Sequence, residues 1–285
     1  MADNREPLDI EGLLRFYAEA GIDMPLSETP IDRFAEPQRP ASSQPTAQMP
    51  NSPERARQQQ PRPAPAPAPT SKPVQAAADL PDTAQIALAR EAAAQASTLE
   101  ELREKLAAFD GCNLKFTAKN LCFADGDPSS DIMFIGEAPG RDEDMEGLPF
   151  VGKSGQLLNR MIESIDLKRE SVYIANTIPW RPPGNRTPTP LETELCRPFI
   201  ERQIELASPK VLVALGGPAG KALTGATEGI LRLRGNWKIY RTPNGLEIPV
   251  MPTLHPAYLL RTPAQKRFAW RDFLAVKLKL AELMS

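Results

Sequence analysis

Four short apolar runs, DIMFIG at Asp131–Gly136, SVYIAN at Ser171–Asn176, KVLVALG at Lys210–Gly216 and IPVMPTLH at Ile248–His255, constrain the fold of this 285-residue chain more than any other feature. Each is too short for a helix, and β-branched residues recur in them without polar alternation, which is the pattern of a strand covered on both faces. Helical stretches at Ser154–Ile165, Pro190–Ala207, Pro218–Leu223 and Pro263–Leu283 fill the intervals between and after them. Strands interleaved with helices build a mainly parallel sheet between two helical layers. The expected fold is therefore α/β, a three-layer α/β/α sandwich around a four-stranded sheet. Ligands of such sheets bind outside the carboxyl ends of the strands. Polar and glycine punctuation falls at those ends: Gly136–Gly140 after the first run, Asn176 closing the second, Gly216-Gly217 after the third, and His255-Pro256 after the fourth.

The chain ahead of this body has a different character. Thirteen of the 31 prolines lie between Pro30 and Pro81, and no aromatic residue occurs between Phe34 and Phe109. Such a stretch cannot bury enough apolar surface to offset the entropy of ordering it, so residues 29–81 read as a disordered linker with polyproline character. Before it, within residues 1–28, DIEGLLRFYAEAGID gathers Leu13, Leu14, Phe16 and Tyr17 on one helical face. That short helix either docks on a protein partner or packs back on the domain. The ordered domain is expected over 82–285, opening with helices at Thr83–Ala96 and Thr98–Phe109, the second introduced by a Thr98/Glu101 capping box.

A net charge of −2 excludes coating nucleic acid by bulk positive charge, so any such contact must be local. No run approaches the ~20 apolar residues of a membrane span, and the first residues lack the pattern of a secretory signal. A cytoplasmic monomer is expected. Cys112, Cys122 and Cys196 form no Cys-x-x-Cys pair and suggest no disulfide framework.

Three segments carry candidate chemistry. The loop from Gly136 to Gly155 packs Glu137, Asp142, Glu143, Asp144 and Glu146 with several glycines and a Phe150 that reads as exposed. It matches neither glycine-rich phosphate motif, and its carboxylates would repel phosphates. RPPGNR at Arg181–Arg186 is stiffened by proline and offers Arg181, Asn185 and Arg186 as rigid donors for a phosphate backbone, or is an ordinary surface loop. His255 is the single histidine of the chain. A lone histidine is more often structural than catalytic, but a strand end shared with three others favours chemistry.

GEAPGRDEDMEGLPFVGKSGQLL, YIANTIPWRPPGNRTPTPLETELCRPFI, SPKVLVALG and LHPAYLLR, taken together, resemble the uracil-DNA glycosylase superfamily, in its bacterial and archaeal family 4 form, from about Phe109 onward. The resemblance implies repair of DNA by flipping uracil out of the helix and hydrolysing its glycosidic bond, with uracil-containing DNA as the partner. It implies that Phe150 stacks on the base, that Asn176 reads its O4 and N3 edge, and that His255 donates to O2 with help from backbone amides around Ala138. Glu143 is assigned the water and sugar cation, Glu137 the shaping of the pocket, and Arg181, Asn185, Arg186 and Arg261 the DNA backbone. Family 4 proteins hold a four-cysteine [4Fe–4S] cluster. Here Cys112 and Cys196 match two ligand positions, whereas Phe109 and Trp180 stand at the other two, so no cofactor and no metal is expected. A zinc site at Cys112, Cys122 and Cys196 is the minor alternative, and a non-catalytic damage binder or adaptor is the competing function. Removing residues 1–81 is expected to leave uracil excision intact, as a single-uracil oligonucleotide assay would register.

Overall fold

A computed structural model describes residues 82–284. The helix expected within 1–28 and the linker expected over 29–81 lie outside the described residues. Among the described residues no helix is long and apolar enough to cross a membrane.

The elements follow in the order α1 (Asp82–Ala94), α2 (Leu99–Ala108), α3 (Leu114–Thr117), β1 (Asp125–Gly126), β2 (Ile132–Gly136), α4 (Arg141–Glu146), α5 (Lys153–Glu163), β3 (Tyr173–Asn176), α6 (Pro190–Ala207), β4 (Val211–Leu215), α7 (Gly217–Thr224), α8 (Ile230–Leu233), β5 (Lys238–Arg241), β6 (Glu247–Thr253), α9 (Pro256–Arg261) and α10 (Lys266–Met284). One sheet runs in the order β1-β3-β2-β4-β6-β5. The four expected strands form its parallel centre, β3 beside β2, β2 beside β4 and β4 beside β6. The sheet has six strands rather than four, because β1 and β5 add an antiparallel strand at each edge. Two residues, in the case of β1, leave no periodic signal, and KIYR in β5 buries only Tyr240 and offers no continuous apolar run.

Alternate residues of each central strand serve opposite faces. Ile132 and Phe134 of β2 pack with Leu158 and Ile162 of α5 and with Phe273 and Val276 of α10. Met133 and Ile135 of the same strand face Ile200 and Ile204 of α6 and Ala219 and Leu223 of α7. Burial of each such side chain contributes about 1.5–3 kcal/mol, and the two clusters make the three layers. A third cluster joins α1 and α2 to α6 and includes Cys112, Ile178, Trp180 and Cys196. Half of the expected capping box holds α2 at its start, where Glu101 N donates to Thr98 Oγ1 at 3.1 Å, while the Glu101 carboxylate reaches past Thr98 and accepts from Ser97 N at 2.6 Å.

Asp272 of α10 is buried, and burial pushes its carboxyl above the usual range against the pull of its partners. Arg234 grips both its oxygens and also donates to Phe268 O at 3.0 Å, while Thr253 Oγ1 donates to Asp272 at 2.7 Å. The cluster fixes the end of β6 to α10, two residues before His255. Arg234→Met would leave the carboxylate buried without its cation, and it is expected to lower unfolding free energy by about 3–5 kcal/mol in urea titration.

Candidate active site

The parallel register brings four strand ends level. Gly136 of β2 lies opposite Asn176 of β3, and Leu215 of β4 opposite Thr253 of β6, so the segments after them open on one side. They surround a cleft of about 470 Å³ lined by Glu137, Ala138, Glu143, Phe150, Asn176, Asn185, Arg186, His255 and Arg261, nine of the ten residues picked from the sequence. The tenth, Arg181, is turned aside: its Nε donates to Asn185 Oδ1 at 2.7 Å and its Nη1 lies 3.9 Å from Asp144. Ser154, Pro182, Gly216, Gly217 and Tyr258 also line the cleft. Of these, only the glycines had been marked out, as punctuation after a strand.

The floor is Asn176. It is buried, and its Oδ1 has no hydrogen-bond partner, which a buried acceptor tolerates only at a cost of about 1–3 kcal/mol unless a ligand supplies the donor. Gly136 allows this convergence. A Cβ there would lie 2.4 Å from Asn176 Oδ1 and 2.6 Å from the Phe150 ring, so any other residue would push the two apart.

Phe150 is buried, not exposed as its sequence context suggested. Its ring centroid lies 5.6 Å from that of His255, at 30°. The backbone that delivers it is strained, with φ +54°, a region that costs a residue with a Cβ roughly 1–2 kcal/mol. Gly155 leaves room for the result: a Cβ at that position would sit 1.8 Å from Phe150 O.

His255 stands at the N-terminus of α9, where its Nδ1 accepts the amide proton of Ala257 at 3.1 Å. In the neutral ring this leaves the proton on Nε2. Burial, and secondarily the Arg261 cation, push its pKa down to about 4. The imidazole is thus an uncharged donor at neutral pH.

The acidic stretch of the long loop proves to contain α4, with Asp142, Glu143 and Asp144 in its first turn, where the helix dipole favours them. Glu143 is buried, and its carboxylate accepts the amides of Gly140 (3.1 Å), Val151 (3.2 Å) and Gly152 (3.1 Å). Those bonds commit it to closing the loop. Glu137, by contrast, lines the cleft at the end of β2, and burial pushes its carboxyl above the usual carboxylate range. At the rim, Arg186 makes a two-pronged pair with Glu192 at 2.8 and 2.5 Å. The Thr189-x-x-Glu192 capping box announces that glutamate in the sequence.

Residues 123–279 match the model of the uracil DNA glycosylase superfamily. The chain belongs to that superfamily. It is 38% identical over 181 residues to the Type-4 uracil-DNA glycosylase of Archaeoglobus fulgidus, covering 62% of this chain and 90% of the relative. It is 40% identical over 167 residues to that of Thermotoga maritima, covering 57% and 83%, and 41% identical over 174 residues to that of Saccharolobus solfataricus, covering 58% and 79%.

These relatives overturn the expectation of a chain without cofactor, because the Type-4 family is one that binds an iron–sulfur cluster. Cys112 and Cys196 are both buried, with their sulfurs 4.0 Å apart, and would supply two of its thiolates. Phe109 and Trp180 pack in the same cluster as these cysteines. Cys122 is engaged elsewhere: its Sγ donates to Glu143 O at 3.1 Å, and burial pushes its thiol up to about 12. Among the described residues no group of three or more His, Cys, Asp or Glu is placed to hold a metal ion. Two thiols do not complete a four-thiolate set.

Because His255 is the single histidine, its titration can be read as one ring signal. The unfolded chain takes up a proton near pH 6.5 that the folded ring refuses until about 4. The neutral Nε2–H form is therefore expected by NMR down to pH 5. The site's contribution to stability, present above pH 6.5, is lost as pH falls from 6.5 toward 4, by of order 3 kcal/mol.

Proposed function

We propose that this protein is a monofunctional uracil-DNA glycosylase that takes uracil out of the DNA stack and hydrolyses its N-glycosidic bond, leaving an abasic site for base excision repair. The partnerless, buried Oδ1 of Asn176 is the observation that carries the reading. Uracil presents an N3–H donor to that oxygen and an O4 acceptor to the carboxamide NH₂, whereas cytosine presents an acceptor and a donor in those places. A site built around an unsatisfied acceptor rejects the base that cannot answer it. Phe150 supplies the stacking face.

The bond between C1′ and N1 breaks with its electron pair going to uracil, so negative charge gathers at O2 and positive charge on the sugar. The neutral His255 donates Nε2–H toward O2, with the amides around Ala138 assisting, in a cleft where a fixed donor stabilises more than it would in water. Water then adds to C1′ and gives up a proton. The amides on Glu143 support roles for the two glutamates opposite to those expected. Glu143 is engaged by three amides, so Glu137 positions and deprotonates the water. Arg261 and Asn185 at the rim meet the phosphates, while Arg181 and Arg186, each beside an acidic partner, chiefly hold the loop's shape.

Single-uracil, hypoxanthine, xanthine and undamaged oligonucleotides, incubated with the full chain and treated with alkali, test the reading. Cleavage is expected at uracil and not at cytosine, and Asn176→Leu is expected to slow single-turnover excision by about 10²–10³-fold. Absence of cleavage on every substrate would overturn the enzyme reading in favour of a damage binder. Glu137 must be ionised to act, so the rate should fall as pH drops through its raised pKa, and that acid limb should flatten in Glu137→Gln. If Glu143→Gln flattens it instead, the assignment of the water returns to Glu143.

A further inference from the structure

Arg169 lies outside the cleft, in the turn leading into β3, and all five of its guanidinium protons have acceptors within reach. Nε donates to Asp125 at 2.8 Å, and Nη2 lies 2.6 Å from the same carboxylate. Nη1 donates to Phe150 O at 2.9 Å and to Asn159 Oδ1 at 2.8 Å, and Nη2 donates to Pro149 O at 2.7 Å. One planar group therefore joins β1, α5 and the two carbonyls on either side of the Phe150 Cα.

Those carbonyls matter because Phe150 is held at φ +54°, which its own side chain disfavours. Relaxing φ to the ordinary negative range would swing its carbonyl out of line with Nη1, and the ring would move with it. Gly155 removes the steric obstacle to the strained form, since a Cβ there would lie 1.8 Å from that carbonyl. Arg169 supplies the attraction. A side chain held against its preference by several contacts outside the pocket is the pattern of a preorganised functional residue.

We propose that Arg169 is a positioning residue that fixes the angle and depth at which Phe150 receives the extruded base, acting through the Pro149 and Phe150 carbonyls and not by touching DNA. The proposal rests on the reading of Phe150 as the stacking face. Lysine cannot replace it, because a single ammonium offers three protons from one point and cannot span acceptors on three elements.

The test is single-turnover excision from a single-uracil oligonucleotide by the full-length wild type and by Arg169→Lys, Arg169→Met, Asp125→Asn, Phe150→Ala and Arg169→Met/Phe150→Ala. Circular dichroism at the assay temperature would verify that each is folded. A misplacement of about 1 Å in a catalytic assembly costs on the order of 10²-fold in rate. Arg169→Met is thus expected to lower the maximal rate by about 10–100-fold, with little change in the DNA concentration at half-saturation. Arg169→Lys should fail to rescue it, and the milder Asp125→Asn should fall between. In the Phe150→Ala background Arg169→Met should cost nothing further, because the residue acts through the ring that is gone. An equal loss in both backgrounds, or an undiminished rate in folded Arg169→Met, would overturn the role of Arg169. An undiminished rate in Phe150→Ala would overturn the stacking reading itself, and this proposal with it.

Discussion

Three backbone amides, those of Gly140, Val151 and Gly152, converge on the carboxylate of Glu143 from the two ends of the loop that follows β2. Buried amides need acceptors, and a loop this far from any sheet partner has few to offer. One side chain meets the need for all three. The loop so closed carries α4, brings Phe150 to the cleft and leads into α5, so the shape of the site depends on a residue that also lines it. Cys122 adds a further tie by donating to the Glu143 carbonyl, which places the loop against the segment ahead of β1.

Electrostatics around the cleft follow the same economy of committed groups. Arg186 is paired with Glu192 and Arg181 lies beside Asp144, so much of the positive charge apparent in the RPPGNR segment is answered within the protein. The imidazole is kept neutral by burial and by the nearby Arg261 cation. Burial also raises the Glu137 carboxyl. On the proposed reading a departing uracil anion meets a dipolar donor and not a full charge, while the carboxyl left free of backbone ties is the one whose proton affinity suits it to take a proton from water. A net charge near zero is compatible with the local DNA-binding face proposed, because the pairing is done residue by residue.

How much of this could be read from the chain depends on the range of the interactions involved. The four central strands were legible because burial on both faces forces continuous apolar runs, and their register then delivers Asn176 and His255 to one opening. The Thr98 cap was legible because capping is a contact three residues long. β1 escaped notice because it is short, and α4 because its acidic first turn looks like a solvated loop until Gly140 and the dipole are considered together. The roles of Glu137 and Glu143 could not be separated in sequence. Both are acidic residues in one loop, and only the fold shows which one the amides of Val151 and Gly152 reach. Arg169 gave no signal at all, since its four acceptors come from Asp125, Pro149, Phe150 and Asn159, residues 10 to 44 positions away.

That last class of contact bears on why the site is strained where it is. Phe150 would lose its φ penalty in a freer loop, but, as the proposed stacking face, a freer ring would have to be ordered each time a base arrived, and that entropy would come out of binding. Glu143, Gly155 and Arg169 settle the conformation when the protein folds. The acceptor of Asn176 is likewise left without a donor in the folded chain, so two local instabilities face the same cleft. On the proposed reading a planar ring with an N–H on its edge answers that acceptor, while the strain at Phe150 stays in the backbone and is offset by the contacts that hold it. Selectivity then rests on the unfinished interaction at Asn176, and the base that completes it is held best.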